Sequence, residues 1–509
     1  MAQKAHGYCV FAFLPAVASA MGHLLPVINV LGFVVMLFAF TMLVPWGVAL
    51  VGGDAALPVY NEAVFFTLIC GAILWAATRK RKRELQPRDG FLLVSLVWAT
   101  LPAFAAVPLL LYFREVGTPI SFTDAYFEAM SGLTTTGSTV LTGLEKLPHS
   151  INIWRCWLVW LGGMGIIVMA VAILPLLGVG GMQIYKAETP GPMKDAKLTP
   201  RITETAKGLY AVYVGISLAC WLSYRAAGMS WFDAFCHMCA TMGLGGFSTY
   251  DASFGQFNSP AIEAVAIVFM TLAGFNFAMH FLAWRQRSIR PYFFCPEARW
   301  YLLAMYSGVA LVAVFLYVRG VYDAPLESLR HAAFNVVSIA TTTGFASVDY
   351  AQWPIFAPVL MLLMCCFVTC AGSTGGGIKM LRAVILFKQS KREVTRILHP
   401  RIVNPVKISG DLVENKIVLA VLAFMLLYGG IIIFMTMLML MTGLDAITAF
   451  TAIIASINNT GPGLGDVGPA SNYQSLSDLQ TWVCTICMLL GRLELFSVLV
   501  IFTPSFWRK

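Results

Sequence analysis

Apolar residues in this chain gather into long uninterrupted runs. They do not form the short alternations of half-buried strands or the one-sided stripes of surface helices. Ten runs approach the roughly 20 residues that a helix needs to cross about 30 Å of hydrocarbon. They lie at 27–52, 62–78, 90–113, 152–177, 206–226, 260–284, 300–319, 354–386, 414–442 and 477–503. Between some runs sit segments of another kind. Ser131 to Gly143, SGLTTTGSTVLTG, packs Ser, Thr and Gly into otherwise greasy surroundings. Three consecutive β-branched threonines make a poor helix, so non-helical backbone is expected there.

The same kind of segment recurs four times: FTDAYFEAMSGLTTTGST, WFDAFCHMCATMGLGGFST, LRHAAFNVVSIATTTGFAS and LDAITAFTAIIASINNTGPGLGD. Each starts near a capping or charged residue, runs through about three helical turns, and ends in a polar stretch with a glycine: Gly137, Gly246, Gly344 and Gly461. A helix of about a dozen residues is too short to span, but it can dip in and return. The expected fold is an all-α polytopic membrane protein. It has ten transmembrane helices and four re-entrant pore helices, in a pseudo-fourfold repeat of helix, pore loop and helix around a central pore. The chain divides into an extension (1–25), two leading helices (26–88) and four pore repeats (89–201, 202–297, 298–411 and 412–509).

Non-helical backbone at membrane depth survives only where protein buries it or where it lines a water-filled cavity. Glycine lets the backbone turn its carbonyls toward a common axis, and a ring of carbonyls can replace the water shell of a cation. The half-helices aim their partially negative C-terminal ends at the same place. Close packing of small residues explains one such copy, not four at matched places. On this basis the filter is expected at Thr135, Thr136 and Gly137, at Gly245 and Gly246, at Thr342, Thr343 and Gly344, and at Asn459, Thr460 and Gly461. Only the glycine persists in all four copies. One well-formed site is therefore expected near the four glycines, with weaker sites on either side.

Composition agrees. Of 509 residues 59% are hydrophobic and 12% charged, with a mean hydropathy of +0.77, against about 25% charged in soluble domains. The net charge of +9 needs no nucleic acid to explain it, because its placement sets topology. Basic clusters follow the even-numbered runs: Arg79 to Arg88, Lys186 to Arg201, Arg285 to Arg299, Lys388 to Lys407, and Arg508 with Lys509. The odd connections hold mainly acids, such as Asp124, Asp233, Asp349 and Asp466. The positive-inside rule then places even connections and both termini in the cytosol. Lys4, the apolar stretch Cys9 to Val17 and Ala18-Ser19-Ala20 resemble a cleavable secretory signal. Cleavage would put the new N-terminus outside, against this parity, so a short cytosolic or interfacial extension before Met21 is preferred. The twelve cysteines sit largely in apolar runs and are expected to be small buried hydrophobes. Cys236/Cys239 and Cys484/Cys487 have one-turn spacing, but nothing nearby completes four zinc ligands.

The segments SGLTTTGST, GGFSTYDAS, SIATTTGFAS and NNTGPGLG resemble the four filter segments of the Trk/Ktr potassium-transport family. WLGGMGIIVMAVAILPLLGVGGMQIYKAETPGP, CAGSTGGGIK and GRLELFSVLVIFTPSFWR resemble its Trk-branch membrane subunit over nearly the whole chain. The resemblance implies potassium as the transported ion, with no organic cofactor on this chain. It also implies residence in the bacterial inner (cytoplasmic) membrane and a homodimer. The implied partner is a cytosolic nucleotide-binding regulatory subunit of the TrkA-like, RCK type.

Three consecutive glycines in CAGSTGGGIK each cost a helix about 1 kcal/mol against Ala, so the eighth run should break there. The resulting loop either plugs the pore or kinks the helix for packing. The resemblance favours a gate made of Gly372, Ser373, Thr374, Gly375, Gly376 and Gly377, with Lys379 expected to pair with an unidentified carboxylate. Arg492 sits inside the last run, about ten residues from its cytosolic end, and is a functional candidate by default. The resemblance places it below the filter, where a fixed positive charge hinders cations. The basic stretches Lys186 to Lys207 and Lys388 to Lys416 suit anionic lipid head groups and, by resemblance, docking of the regulatory subunit. The rival reading is a proton- or sodium-coupled potassium secondary transporter. An enzyme is not expected: the histidines are scattered and no HExxH or GxSxG frame appears.

Overall fold

Uninterrupted apolar sequence gives helices throughout. The computed structural model describes residues 7–80, 86–168, 202–408 and 411–507. The basic stretch from Lys186 to Arg201 and residues 81–85 of the one from Arg79 to Arg88 lie outside the described residues. Among the described residues six helices are long and apolar enough to cross a membrane: Leu24–Gly52, Leu57–Thr78, Arg88–Glu115, Ala206–Ala226, Pro296–Val318 and Asn415–Met441. They coincide with the first, second, third, fifth, seventh and ninth apolar runs. The first belongs to a helix that begins at Gly7. The third is interrupted at Ala106, between Pro102 and Pro108, because each proline removes an N–H from the helical ladder. Gly32 and Gly71 let the two leading helices touch backbone to backbone. A Cβ on Gly32 would lie 2.9 Å from the Gly71 carbonyl oxygen.

The sixth and tenth runs differ from the straight spans expected of them. Pro260–Ala273 and Phe277–Gln286 meet at 93°, and Asp478–Arg492 turns by 104° into Phe496–Phe502. The first bend follows Gly274 and restarts where the Asn276 side chain accepts a hydrogen bond from the Ala278 N–H at 2.8 Å. The second passes through Glu494 and Leu495, both at positive φ, and Glu494 is held by Arg382 at 2.7 Å. Counting each bent pair once gives eight candidate spans. Of the other two runs, the fourth is the helix His149–Val168. The eighth is broken as its glycines require: Phe356–Cys365 and Met380–Leu398 flank a non-helical stretch. A two-residue ladder, Lys407 opposite Leu412, is the only strand pairing among the described residues.

Four short helices lie inside this shell: Phe122–Leu133, Trp231–Gly243, Pro325–Ala340 and Ala446–Asn458. Their starts follow local chemistry. The Ser121 and Ser230 hydroxyls each accept an N–H three residues on, at 3.0 Å. Asp445 accepts from both Ile447 and Thr448 at 3.0 Å, and Pro325 opens the third helix. At 12 to 16 residues they span about 18–24 Å, less than a bilayer core, and their C-terminal halves are buried.

Candidate functional site

Each short helix ends in the same backbone shape. Two residues before each glycine stands a non-glycine residue in the left-handed region: Thr135 (φ 54°), Leu244 (55°), Thr342 (61°) and Asn459 (54°). The glycines that follow are also at positive φ: Gly137 (85°), Gly246 (50°), Gly344 (89°) and Gly461 (95°). A left-handed non-glycine residue costs about 1–2 kcal/mol. Finding that cost at one matched position in four loops marks a shape the surroundings impose.

The loops touch one another in chain order. A Cβ on Gly137 would lie 2.5 Å from the Gly245 carbonyl oxygen, and one on Gly461 would lie 2.9 Å from that of Thr136. A Cβ on Gly246 would strike the Thr343 carbonyl, and one on Gly344 the Thr460 carbonyl, closer still. The contacts run first to second, second to third, third to fourth and fourth to first. They close a ring of four backbone carbonyls, each from the residue just before its glycine. The seam between fourth and first loops is tied further. The Ser138 hydroxyl donates to the Gly461 carbonyl at 3.0 Å, and the Asn459 amide donates to the Thr136 hydroxyl at 3.0 Å. On one face of the ring the four glycines line a cavity of about 230 Å³, shared with Ser138, Thr139, Asp251 and Tyr473.

The glycine-rich stretch covers the other face. The Gly376 N–H donates to the Thr342 hydroxyl at 2.9 Å, and the Thr374 hydroxyl donates to the Met242 carbonyl at 3.0 Å. A Cβ on Gly376 would collide with the Asn458 carbonyl. The stretch is folded on itself through Thr369, which donates to the Gly376 carbonyl at 2.7 Å, and Ser373, which donates to that of Cys370. Gly372 (φ 72°) accepts from the Phe277 N–H at 3.1 Å. Arg492, 1% exposed, donates to the Thr374 carbonyl at 2.8 Å and to the Gly162 carbonyl at 3.0 Å. Lys379 donates to the Gly375 carbonyl.

A family model described as TrkH, cation transport protein, matches residues 56–509. The chain belongs to that family. It is 45% identical over 483 residues to the Trk system potassium uptake protein TrkH of Halomonas elongata, covering 95% of this chain and 99% of the relative. It is 44% identical over 487 residues to the Escherichia coli K12 protein of the same description, covering 96% and 100%. The crystal structure of the potassium transporter TrkH from Vibrio parahaemolyticus superposes with a TM-score of 0.87 at 40% identity, covering 95% of this chain and all of that one. As a TrkH-family member the chain is a multi-pass membrane transport protein and not an enzyme.

In this TrkH-family chain all the sequence-selected residues converge on one region. Thr135 to Gly137, Gly245 and Gly246, Thr342 to Gly344 and Asn459 to Gly461 form the ring. Gly372 to Gly377 and Lys379 lie against it, with Arg492 behind. The thiols of Cys236, Cys239, Cys484 and Cys487 are free and buried. Glu494, two residues beyond Arg492, pairs across the bend with Arg382.

Sequence reasoning missed what braces the ring. Glu128 and Arg155, each 1% exposed, form an ion pair at 2.7 Å. Glu128 also accepts from the Val140 N–H and the Thr139 hydroxyl at 3.0 Å, and Arg155 donates to the Ser248 carbonyl at 3.2 Å. Each other loop has its own tie to its short helix. His237 bonds the Ser248 hydroxyl at 3.0 Å, Asn335 accepts from the Ser347 N–H at 3.2 Å, and Thr451 accepts from the Leu464 N–H at 2.9 Å. Glu128, His237 and Asn335 all stand nine residues before their ring glycine. A charged residue inside the fourth apolar run was the available signal for Arg155, as it was for Arg492.

Proposed function

We propose that the chain carries potassium ions across the cytoplasmic membrane through a filter made by the four glycine loops, with the Gly372–Gly377 stretch as its gate. The observation that carries this is the closed ring: four backbone carbonyls at one matched position, each seated against the glycine of the preceding loop. A dehydrated monovalent cation needs such neutral, fixed oxygens in place of its water. The potassium in the relatives' descriptions supplies the ion. Gate closure follows from the contacts of Gly376 with Thr342 and Asn458, and Arg492 pins the stretch through Thr374.

In this reading the six long helices, the two bent pairs, His149–Val168 and the broken eighth run make ten spans, and the four short helices are re-entrant. Basic segments and both termini face the cytosol. The chain works as a homodimer under a nucleotide-binding regulatory subunit of the Trk system. The test is rubidium or potassium uptake into liposomes holding the purified chain, with sodium as competitor. Uptake that sodium fails to suppress is expected. No uptake, with and without the cytosolic partner, overturns the proposal. A reversal potential that shifts with pH or with a sodium gradient assigns coupled transport instead.

A further inference from the structure

A second cavity, about 620 Å³, lies away from the ring, between the helix Ile202–Ala226 and the bent pair Pro260–Ala273 and Phe277–Gln286. That is within the roughly 300–1,000 Å³ of small-molecule sites. Its depth in the membrane follows from the bend. The 14 residues of Pro260–Ala273 rise about 21 Å, short of the roughly 30 Å hydrocarbon core. With a 93° turn at that point, Phe277–Gln286 takes this span obliquely on toward its far end. Trp284, Ile289, Phe293 and Phe294 near its far end are 62–68% exposed beside Arg287 and Arg290. Exposed aromatics next to arginines belong at the boundary between hydrocarbon and head groups, and the charge placement makes that boundary the cytosolic one.

The cavity has an apolar body and a cationic mouth. Val212, Gly215 and Ile216 form one wall, with Leu272 and Ala283 opposite. His280 borders it, but both ring nitrogens are engaged, by the Leu272 carbonyl at 2.9 Å and the Tyr292 hydroxyl at 2.6 Å. The interior therefore offers little to a polar ligand. Arg287 and Ser288 line it just beyond Gln286, the end that the charge placement makes cytosolic. The sequence contains no Asp or Glu between Glu263 and Glu297, so Arg287 and Arg290 have no acidic neighbour along the chain. We infer that this cleft holds one anionic phospholipid of the inner leaflet, an acyl chain in the apolar body and the phosphate at Arg287. Burial of the chain supplies affinity, and the arginine selects the anionic head group.

The test uses the full chain, purified and stripped of lipid, then titrated with phosphatidylglycerol or phosphatidylcholine and weighed by native mass spectrometry. A Cβ on Gly215 meets nothing within 4 Å, so Gly215→Phe fills the cleft without a backbone clash. Gly429, equally open, gives the control Gly429→Phe. Arg287→Gln removes the charge at an exposed position. One tightly retained phosphatidylglycerol per chain is expected for the unmodified protein and for Gly429→Phe. Retention should be at least tenfold weaker in Gly215→Phe and Arg287→Gln, and millimolar inorganic phosphate should leave the lipid bound. Equal retention in Arg287→Gln, equal retention of phosphatidylcholine, or displacement by inorganic phosphate overturns the proposal. So does a Gly215→Cys variant that cross-links two copies, which places a second chain over the cleft.

Discussion

Replacing Gly344 by Ala tests the ring most directly. Two effects act at that position. Its φ of 89° costs a residue with a Cβ about 1–2 kcal/mol. The new methyl also collides with the Thr460 carbonyl oxygen, which must withdraw toward 3.0 Å, the limit of real Cβ approach. Gly461 separates the two effects. Its φ is 95°, so the strain is similar, but its Cβ would lie 2.9 Å from the Thr136 carbonyl and needs almost no displacement. A bond from a polar group to an ion is worth about 1.5–3 kcal/mol, which is about a ten- to hundredfold change. Gly344→Ala should therefore lower rubidium uptake into liposomes about ten- to a hundredfold, and weaken discrimination against sodium. Gly461→Ala should lose several-fold less, while both variants remain monodisperse with similar thermal unfolding. Gly246→Ala and Gly137→Ala should fall between. Equal losses at Gly344 and Gly461, or normal uptake by well-folded Gly344→Ala, would refute carbonyl displacement as the cause.

Arg492→Ala removes the bonds at 2.8 and 3.0 Å that tie Thr374 to Gly162. It should raise uptake or leak several-fold in the same assay, and lower flux in well-folded protein would assign Arg492 a structural role. Alanine at Gly375, Gly376 and Gly377 together should change flux while size-exclusion profiles stay those of the unmodified protein; unchanged flux argues against a gate. Glu128→Gln leaves Arg155 buried without its counter-ion and should cost about 3–5 kcal/mol, read as a lower unfolding temperature in detergent. Pairing it with Arg155→Met should recover much of that loss, and an unshifted midpoint in the single variant would show that the pair carries no stability.

Hydropathy made the spans legible because a helix in lipid has no alternative to burying apolar residues over its whole length. The four loops were legible for the converse reason: Thr134 to Thr136 and Thr341 to Thr343 cannot sit comfortably in hydrocarbon. Their order around the ring was not. It depends on contacts such as Gly344 with Thr460, which no local pattern encodes. The bends were missed for different reasons. Gly274 is a single glycine of a kind that straight helices also hold, and Glu494 and Leu495 are ordinary residues kept at positive φ with the help of Arg382, 112 positions away. The triple glycine of the eighth run needed no partner to be read as a break, because its cost is intrinsic to the residue.

The seam of the ring has a consequence for how the chain is made. Ser138 with Gly461, and Asn459 with Thr136, are each 323 residues apart. The first loop is synthesised and inserted long before its neighbour across the seam exists. Until the fourth loop exists, the contacts of Gly344 with Thr460 and of Gly461 with Thr136 are both missing, and the ring is open on two sides. The two sides of the seam meet only after Gly461 has been made, so ring closure waits for the last repeat of the chain.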